Sequence, residues 1–239
     1  MKNFIVKPLF LLALLVGASM AVASCDKDNN FTRRNILQVD ESYGYTNINL
    51  QDCQYNLDNM PVEALSPAEQ NSILFMREEE KVARDIYLKF QEKWNLNAFS
   101  NISASEQTHM DAMLKLITRY NLTDPVGSNG VGVFANNDLQ TLYDALLLQG
   151  DASLIEALKV AALVEEVDIV DLQTALSTVV DNQDVEMVYE NLLAASRNHL
   201  RAFVKNLQNQ GVTYVPQRLT QAEYDAIINT GWEHGQHGG

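Results

Sequence analysis

The feature that most constrains this chain is a glutamate and a histidine in an otherwise apolar helical stripe. Glu106 and His109 are three residues apart, so a helix places them on one face. The other positions of that face are apolar, namely Ile102, Met110, Met113, Leu116 and Tyr120. A carboxylate and an imidazole on a buried face are costly unless each has a partner. The sequence must therefore supply those partners.

One interpretation is that Glu106 and His109 have purely structural partners. Residues 103–106 match a helix-capping box, which would place Glu106 at a helix start. Ser100 is also a good cap, and a start there leaves Glu106 inside the helix. His109 fits a core histidine bonded to a backbone carbonyl. The functional alternative is a metal ion, because Glu-x-x-His is how helices of di-iron four-helix proteins supply ligands.

A helix predicted over residues 67–94 carries a second buried acid. It begins with a capping box at Ser66, with proline at the first helical position. Glu79 falls in its apolar stripe and is expected to point inward. The flanking Glu78 and Glu80 fit a solvated charge run, with three basic residues nearby to pair with them: Arg77, Lys81 and Arg84.

Two more long helices are predicted in the second half of the chain. A capping box at Ser153 begins the first, which runs to about residue 180. The helix carries three acids, Glu165, Glu166 and Asp168, and at least one of them must be buried on any packing. The second helix covers about residues 185–210 and has His199 in the middle of its apolar stripe. Arg197 and Arg201 lie off that stripe and are expected to pair with acids.

These segments predict an all-α fold, an up-down four-helix bundle. About thirty residues separate the second and third long helices, including a short amphipathic helix at 138–149. A connection of that length can cross the bundle, whereas short connections join antiparallel neighbours. A capped short helix from Thr220 is expected to close the domain, and residues 231–239 are expected to form a flexible tail. His234 and His237 in that tail are weaker metal-binding candidates.

Four motifs carry a family resemblance: residues 75–81 (FMREEEK), 105–110 (SEQTHM), 164–169 (VEEVDI) and 196–200 (SRNHL). With them, residues 65–228 resemble the ferritin-like superfamily of the rubrerythrin and erythrin kind. More closely, they are similar to an uncharacterised family of bacterial and archaeal ferritin-like proteins.

The resemblance implies an iron site, di-iron or mononuclear, with manganese or zinc as alternatives. Its implied ligands are Glu79, Glu106, His109, Glu165, Asp168 and His199, with Glu166 as an alternative. Ser196 stands where the superfamily pattern has a glutamate, which puts a symmetric di-iron centre in doubt unless Asp168 substitutes. The implied activity is that of an oxidase or peroxidase. Metal sequestration without turnover and a metal-free helical interaction module are the alternatives, and a homodimer stays open.

The N-terminus predicts an envelope lipoprotein. Lys2 and Lys7 precede a short apolar run, and residues 22–25 (VASC) match a lipobox, so cleavage would leave a lipidated Cys25. Residues 1–24 are then a signal peptide that is removed, and the lipid on Cys25 would tether the protein to a membrane surface. Residues 25–64 are expected to form a tether and irregular arm before a domain at 65–230.

Charge and cysteine content exclude other classes of protein. Removal of residues 1–24 takes away two lysines and no acid, so the net charge falls from −14 to −16. Such an acidic chain is unsuited to nucleic acid. With Cys25 lipidated, Cys53 has no intrachain partner, so a disulfide framework is excluded.

Overall fold

The computed structural model describes residues 31–235, which are mostly helical with one two-stranded sheet. The elements are β1 (Leu37–Asp40), β2 (Tyr45–Ile48), α1 (Leu50–Asn59), α2 (Pro67–Trp94), α3 (Asn97–Arg119), α4 (Asn137–Gly150), α5 (Leu154–Thr178), α6 (Gln183–Asn209) and α7 (Gln221–Ile228). The all-α class is confirmed. The predicted signal peptide, Cys25 and His237 lie outside the described residues. Within residues 31–235 no helix is long and apolar enough to cross a membrane.

Local sequence sets most helix starts. Ser66 accepts from the Glu69 N–H and Glu69 returns a bond to the Ser66 N–H, which confirms the capping box at Pro67. Ser153 caps α5 and Thr220 caps α7, each by accepting a hydrogen bond from the backbone N–H three residues later. α3 begins at Asn97, before both of the caps predicted for it, Ser100 and Ser103. Glu106 therefore lies well inside α3, and its interpretation as a capping residue was wrong.

The four long helices pack in a closed ring. α2 packs against α3 and α5, and α6 packs against α5 and α3. A two-residue connection joins α2 to α3, and Asn95 makes that turn in the left-handed conformation (φ 51°). Large apolar side chains fill the inside of the ring, among them Ile86, Phe90, Phe99, Ile102 and Phe203, all at most 1% exposed. The polar residues on the inner stripes are therefore enclosed as well.

The irregular arm expected before the domain contains regular structure. Strands β1 and β2 form an antiparallel hairpin that pairs Leu37 with Ile48, and α1 follows directly. The hairpin packs on α3 and α6. Gly44, at φ 74°, closes the hairpin turn where a Cβ would lie 2.9 Å from that of Ala202. Strands of four residues are too short to show a periodic pattern, so they could not be predicted from the sequence.

The basic residues of α2 hold the connection between α3 and α4. Arg77 pairs with Asp124, and Lys81 pairs with Asp85 while donating to the carbonyl of Gly130. Arg84 also pairs with Asp85. The expected pairing of these residues with Glu78 and Glu80 was therefore wrong. Glu78 is buried rather than solvated and accepts two backbone N–H bonds from this connection.

Candidate metal centre

Seven polar side chains from the four long helices meet inside the ring, and each is at most 2% exposed. We call them the inner cluster: Glu79 and Glu80 from α2, Glu106 and His109 from α3, Glu165 and Asp168 from α5, and His199 from α6. The two histidines are the basic members of the cluster, and they contact three of its five acids, Glu80, Glu106 and Glu165. The cluster therefore holds more acid than base.

Glu106 lies between the two histidines. Its Oε2 is 2.8 Å from Nδ1 of His109, and its Oε1 is 2.8 Å from Nδ1 of His199. Glu106 Oε1 and His199 Nδ1 nevertheless have no hydrogen-bond partner, so their contact lacks the alignment of a hydrogen bond. Two donor atoms at right angles around one divalent cation lie about 3 Å apart. The contact has the spacing of two ligands of one ion.

Each histidine also approaches a second carboxylate. Nδ1 of His109 is 3.3 Å from Oε2 of Glu80, and Nδ1 of His199 is 3.7 Å from Oε1 of Glu165. Tyr87 donates a hydrogen bond to that same oxygen of Glu165 at 2.7 Å. The arrangement consists of two halves that share Glu106, each with one histidine nitrogen and one further carboxylate.

The hairpin fixes the outer nitrogens of both histidines. Nε2 of His109 donates to the carbonyl of Thr46 at 2.9 Å, so its Nδ1 faces the cluster. Nε2 of His199 lies 3.2 Å from the backbone N of Thr46 and accepts from that N–H in the tautomer that carries its proton on Nδ1. Ser105 Oγ, whose own proton goes to the Thr46 carbonyl, lies 3.2 Å from the same Nε2 and accepts from it in the other tautomer, which leaves Nδ1 free. Such outer partners orient metal-binding histidines, and in His109 the Thr46 carbonyl fixes Nδ1 as the free nitrogen.

Several buried oxygens of the cluster have no donor within residues 31–235. Both carboxylate oxygens of Glu79 and both of Asp168 are in this state, as is one oxygen each of Glu80 and Glu165. A buried carboxylate without a donor is strongly unfavourable unless it is protonated or binds a cation. The cluster therefore has the donor atoms that a carboxylate-rich metal site requires.

The pKa values show what this crowding does without a cation. Burial raises the pKa of Glu80 to about 8, and burial together with the charge of Glu106 raises that of Glu165 to about 6. Burial and neighbouring acids hold the pKa values of Glu79 and Asp168 well above their usual range. Like charges in a dry site cannot all ionise.

At Glu106 and the two histidines, the pKa shifts favour the charged forms instead. Burial opposes the charge of Glu106, but the two histidines hold its pKa well below its usual range. Burial also opposes the charge of His199, but Glu106 and Glu165 raise its pKa to about 9, and Glu106 likewise raises that of His109. Protons and cations thus compete for the same atoms.

The structure separates the other candidates from the cluster. Glu166 points away and accepts from Tyr214 Oη and the backbone N–H groups of residues 217–219, so it holds the segment after α6. Ser196 donates to the carbonyl of Leu192 within its own helix. His234 is exposed and lies 3.1 Å from Glu41. Arg197 and Arg201 both pair with Glu233, as expected for residues off the stripe.

Two residues of the site escaped sequence reasoning. Glu80 was assigned to the solvated face, yet it follows Met76 by four residues and precedes Ala83 and Tyr87 by three and seven, all buried. That spacing was a readable helical signal. Thr46 had no signal, because its hairpin lies about 60 residues before His109 in a segment without periodicity.

Comparisons with known proteins identify relatives. A family described as "Uncharacterized protein domain (DUF2202)" matches residues 69–231. The chain is 45% identical over 181 residues to "Uncharacterized protein MJ0754" of Methanocaldococcus jannaschii, covering 76% of this chain and 97% of the relative. The crystal structure of the hypothetical protein MJ0754 superposes with a TM-score of 0.71 at 46% identity, covering 73% of this chain and 99% of that one.

Proposed function

We propose a metal-binding function for this chain, which belongs to the DUF2202 family of uncharacterised domains. The inner cluster would hold two divalent cations, iron or manganese, with zinc as the alternative. One ion would take Nδ1 of His109, and the other would take Nδ1 of His199. Glu106 would help to hold both ions, because its two oxygens lie beside different histidines. This expectation agrees with the ferritin-like four-helix bundle that the sequence predicts, in which α4 belongs to the long crossover.

The observation that carries this proposal is the position of Glu106. Each of its oxygens lies 2.8 Å from Nδ1 of a different histidine, and one of these contacts has no hydrogen-bond partner on either side. A carboxylate in that position can bind two ions at once. Imidazole nitrogens with carboxylate oxygens suit iron, manganese and zinc.

The remaining carboxylates complete the ligand set. Glu80 and Glu165 approach the two histidine nitrogens, so each would serve one ion. Asp168 lies in electrostatic contact with Glu80, Glu165 and Glu106, so its carboxyl group stands beside the ligands and would offset the carboxylate that is missing at Ser196. The bound ions would supply Lewis-acid or redox chemistry, and the chain's own residues hold them and exclude water. Metal binding does not by itself imply oxidase or peroxidase turnover. Consumption of oxygen or peroxide by iron-loaded protein would measure that activity separately.

The alternative to metal binding is that the same residues form a polar core without any metal. Two protonated histidines would balance the charges of Glu106 and Glu165, and the other three acids, whose pKa values burial raises further, would stay protonated. The chain would then be a helical interaction module with a polar core. Added cations and chelators would leave such a protein unchanged.

Thermal unfolding with and without Mn²⁺ separates the two. An ion that binds only the folded state at a hundred times its Kd adds about 2.7 kcal/mol of stability. For a domain of this size we expect Tm to rise by about 5–10 °C, and the rise to vanish in Glu106→Gln. Glu190→Gln is the matched control, because Glu190 is a partly buried acid of α6 outside the cluster. An unchanged Tm in folded wild-type protein would favour the metal-free core.

A further inference from the structure

A row of acids leads from the inner cluster toward the surface along α5. Glu165, Asp168 and Asp171 follow each other at intervals of three residues, so each is adjacent to the next on the helix surface. Glu165 and Asp168 are buried, whereas Asp171 is partly exposed. Each step of three residues advances about 4.5 Å along the helix. The row therefore joins the buried site to the outside of the four-helix ring.

Glu79 of α2 faces this row from the opposite helix. Its carboxyl group lies within hydrogen-bonding range of that of Asp171, so the two can share a proton, and it is in electrostatic contact with Asp168. Both oxygens of Glu79 and both of Asp168 are buried without a donor within residues 31–235. A purely structural acid is normally satisfied by N–H groups, as Glu166 is on the same helix. These two acids thus differ from the satisfied acid beside them.

We propose that Asp171, Glu79 and Asp168 form an acidic ladder along which divalent cations reach and leave the inner cluster. The proposal rests on the metal-binding function proposed above and assigns these three acids to transit, while Glu80, Glu106 and Glu165 hold the ions. Asp171 is the outer step, Glu79 spans the gap between the helices, and Asp168 passes the ion to the ligands.

The charges around the outer step fit this role. Arg218, from the segment after α6, lies within electrostatic range of Asp171 and provides a local counter-charge. A divalent cation arriving at Asp171 can replace that counter-charge. Because the following steps are acids, the cation meets oxygen ligands at each position and is never left without negative charge in the dry interior.

If Asp171 lies on the route of the cation, its substitution should change the rates of metal uptake and release without changing the affinity. A residue that lowers the barrier on a route accelerates binding and release equally, whereas a ligand mainly slows release. In Asp171→Asn we therefore expect Co²⁺ uptake and release to slow together by about tenfold, with Kd close to the wild-type value. Asp171→Glu, which keeps the carboxylate, should restore both rates.

The measurement is stopped-flow visible absorption of the purified protein mixed with Co²⁺ alone, and of Co²⁺-loaded protein mixed with a chelator. Glu190→Gln removes the same charge from a partly buried position outside the ladder and should keep wild-type rates. Wild-type rates in Asp171→Asn would overturn the ladder and leave the proposed function intact. Weaker affinity with unchanged or faster release would make Asp171 a ligand, which also overturns it. Failure of wild-type protein to bind Co²⁺ would remove the proposed function and the ladder together.

Discussion

His109 and His199 stack against each other, with ring planes 14° apart and ring centroids 5.4 Å apart. They come from different helices, α3 and α6, and neither ring is exposed. Both have raised pKa values because of Glu106, so two positive rings would repel each other in a dry site. The pair is stable only with Glu106 between the two Nδ1 atoms, which makes this carboxylate the centre of the site.

Metal stoichiometry tests the two halves of the site. We expect wild-type protein loaded with Mn²⁺ and desalted to retain two ions, because each histidine serves one. His109→Ala and His199→Ala should each retain one ion at most, and Glu106→Ala none. Elemental analysis measures the retained metal. His234→Ala is the control, since His234 is exposed and lies outside the cluster. Two ions in Glu106→Ala would place the metal elsewhere.

The serine that supports His199 should affect metal affinity without binding metal. Ser105 Oγ bonds to the Thr46 carbonyl and lies 3.2 Å from Nε2 of His199. Loss of such an outer partner costs about 10–100-fold in metal affinity. We expect Ser105→Ala to weaken Mn²⁺ binding by at least about tenfold in calorimetric titration.

Ser103→Ala is the matched control for this prediction. Ser103 lies two residues before Ser105, so it is on a different face of α3, and it donates to the carbonyl of Ser100 in its own helix. Its removal should leave Mn²⁺ affinity unchanged. Equal weakening by both substitutions would mean that α3 is disturbed as a whole, and the role of Ser105 would be wrong.

The helices could be predicted because their signals are local. Ser66, Ser153 and Thr220 cap their helices as the sequence indicates, since each cap depends on residues within one turn. Glu106, His109 and His199 could likewise be placed inward, because each stands in an apolar stripe of its own helix. The burial of these residues can be predicted from the helical periodicity of the apolar residues around them.

The parts that escaped prediction depend on contacts between distant segments. Glu166 and Asp168 have the same chemistry, and only the segment after α6, which donates four hydrogen-bonding groups to Glu166, decides which of them is structural. Thr46 approaches both histidines because the hairpin packs on α3 and α6. Neither contact can be predicted from the hydrophobic periodicity of a single helix.

Glu166 should matter for stability and not for metal. Glu166→Gln keeps the size of the side chain but removes the charge that accepts from Tyr214 and residues 217–219. We expect the free energy of unfolding to fall by about 2–3 kcal/mol in urea denaturation, because bonds to a buried charge are lost. Mn²⁺ stoichiometry should stay at the wild-type value. Loss of metal with unchanged stability would contradict this division of roles.

The predicted lipid anchor at Cys25 stays a prediction, because this residue lies outside 31–235. We propose that the protein is held at the cell envelope by acylation of Cys25 after cleavage of residues 1–24. Cys25→Ser should move it from the membrane to the soluble fraction, whereas Cys53→Ser should not, because Cys53 is buried in α1. Membrane retention of Cys25→Ser would mean that residues 1–24 are themselves the anchor.

The pH dependence of stability should reverse when metal binds. Burial raises the pKa of Glu80 to about 8, so between about pH 4.5 and 8 the folded state binds more protons at this group than the unfolded state. The free energy of unfolding then falls as pH rises. His199, with a pKa raised to about 9 by Glu106 and Glu165 against the effect of burial, acts in the same direction between about pH 6.5 and 9.

Metal-free protein should therefore lose stability steadily from pH 5 to pH 9, by at least about 1 kcal/mol or 2–4 °C in Tm. Mn²⁺ requires ionised carboxylates and neutral histidines, so its affinity rises with pH and the loaded protein should gain stability over the same range. Thermal unfolding at each pH, with chelator or with Mn²⁺, gives the two curves. Glu80→Gln removes one of the titrating groups and should flatten the metal-free curve below pH 8. Parallel curves with and without Mn²⁺ would show that protons and cations do not compete at these residues, and the inner cluster would not be a metal site.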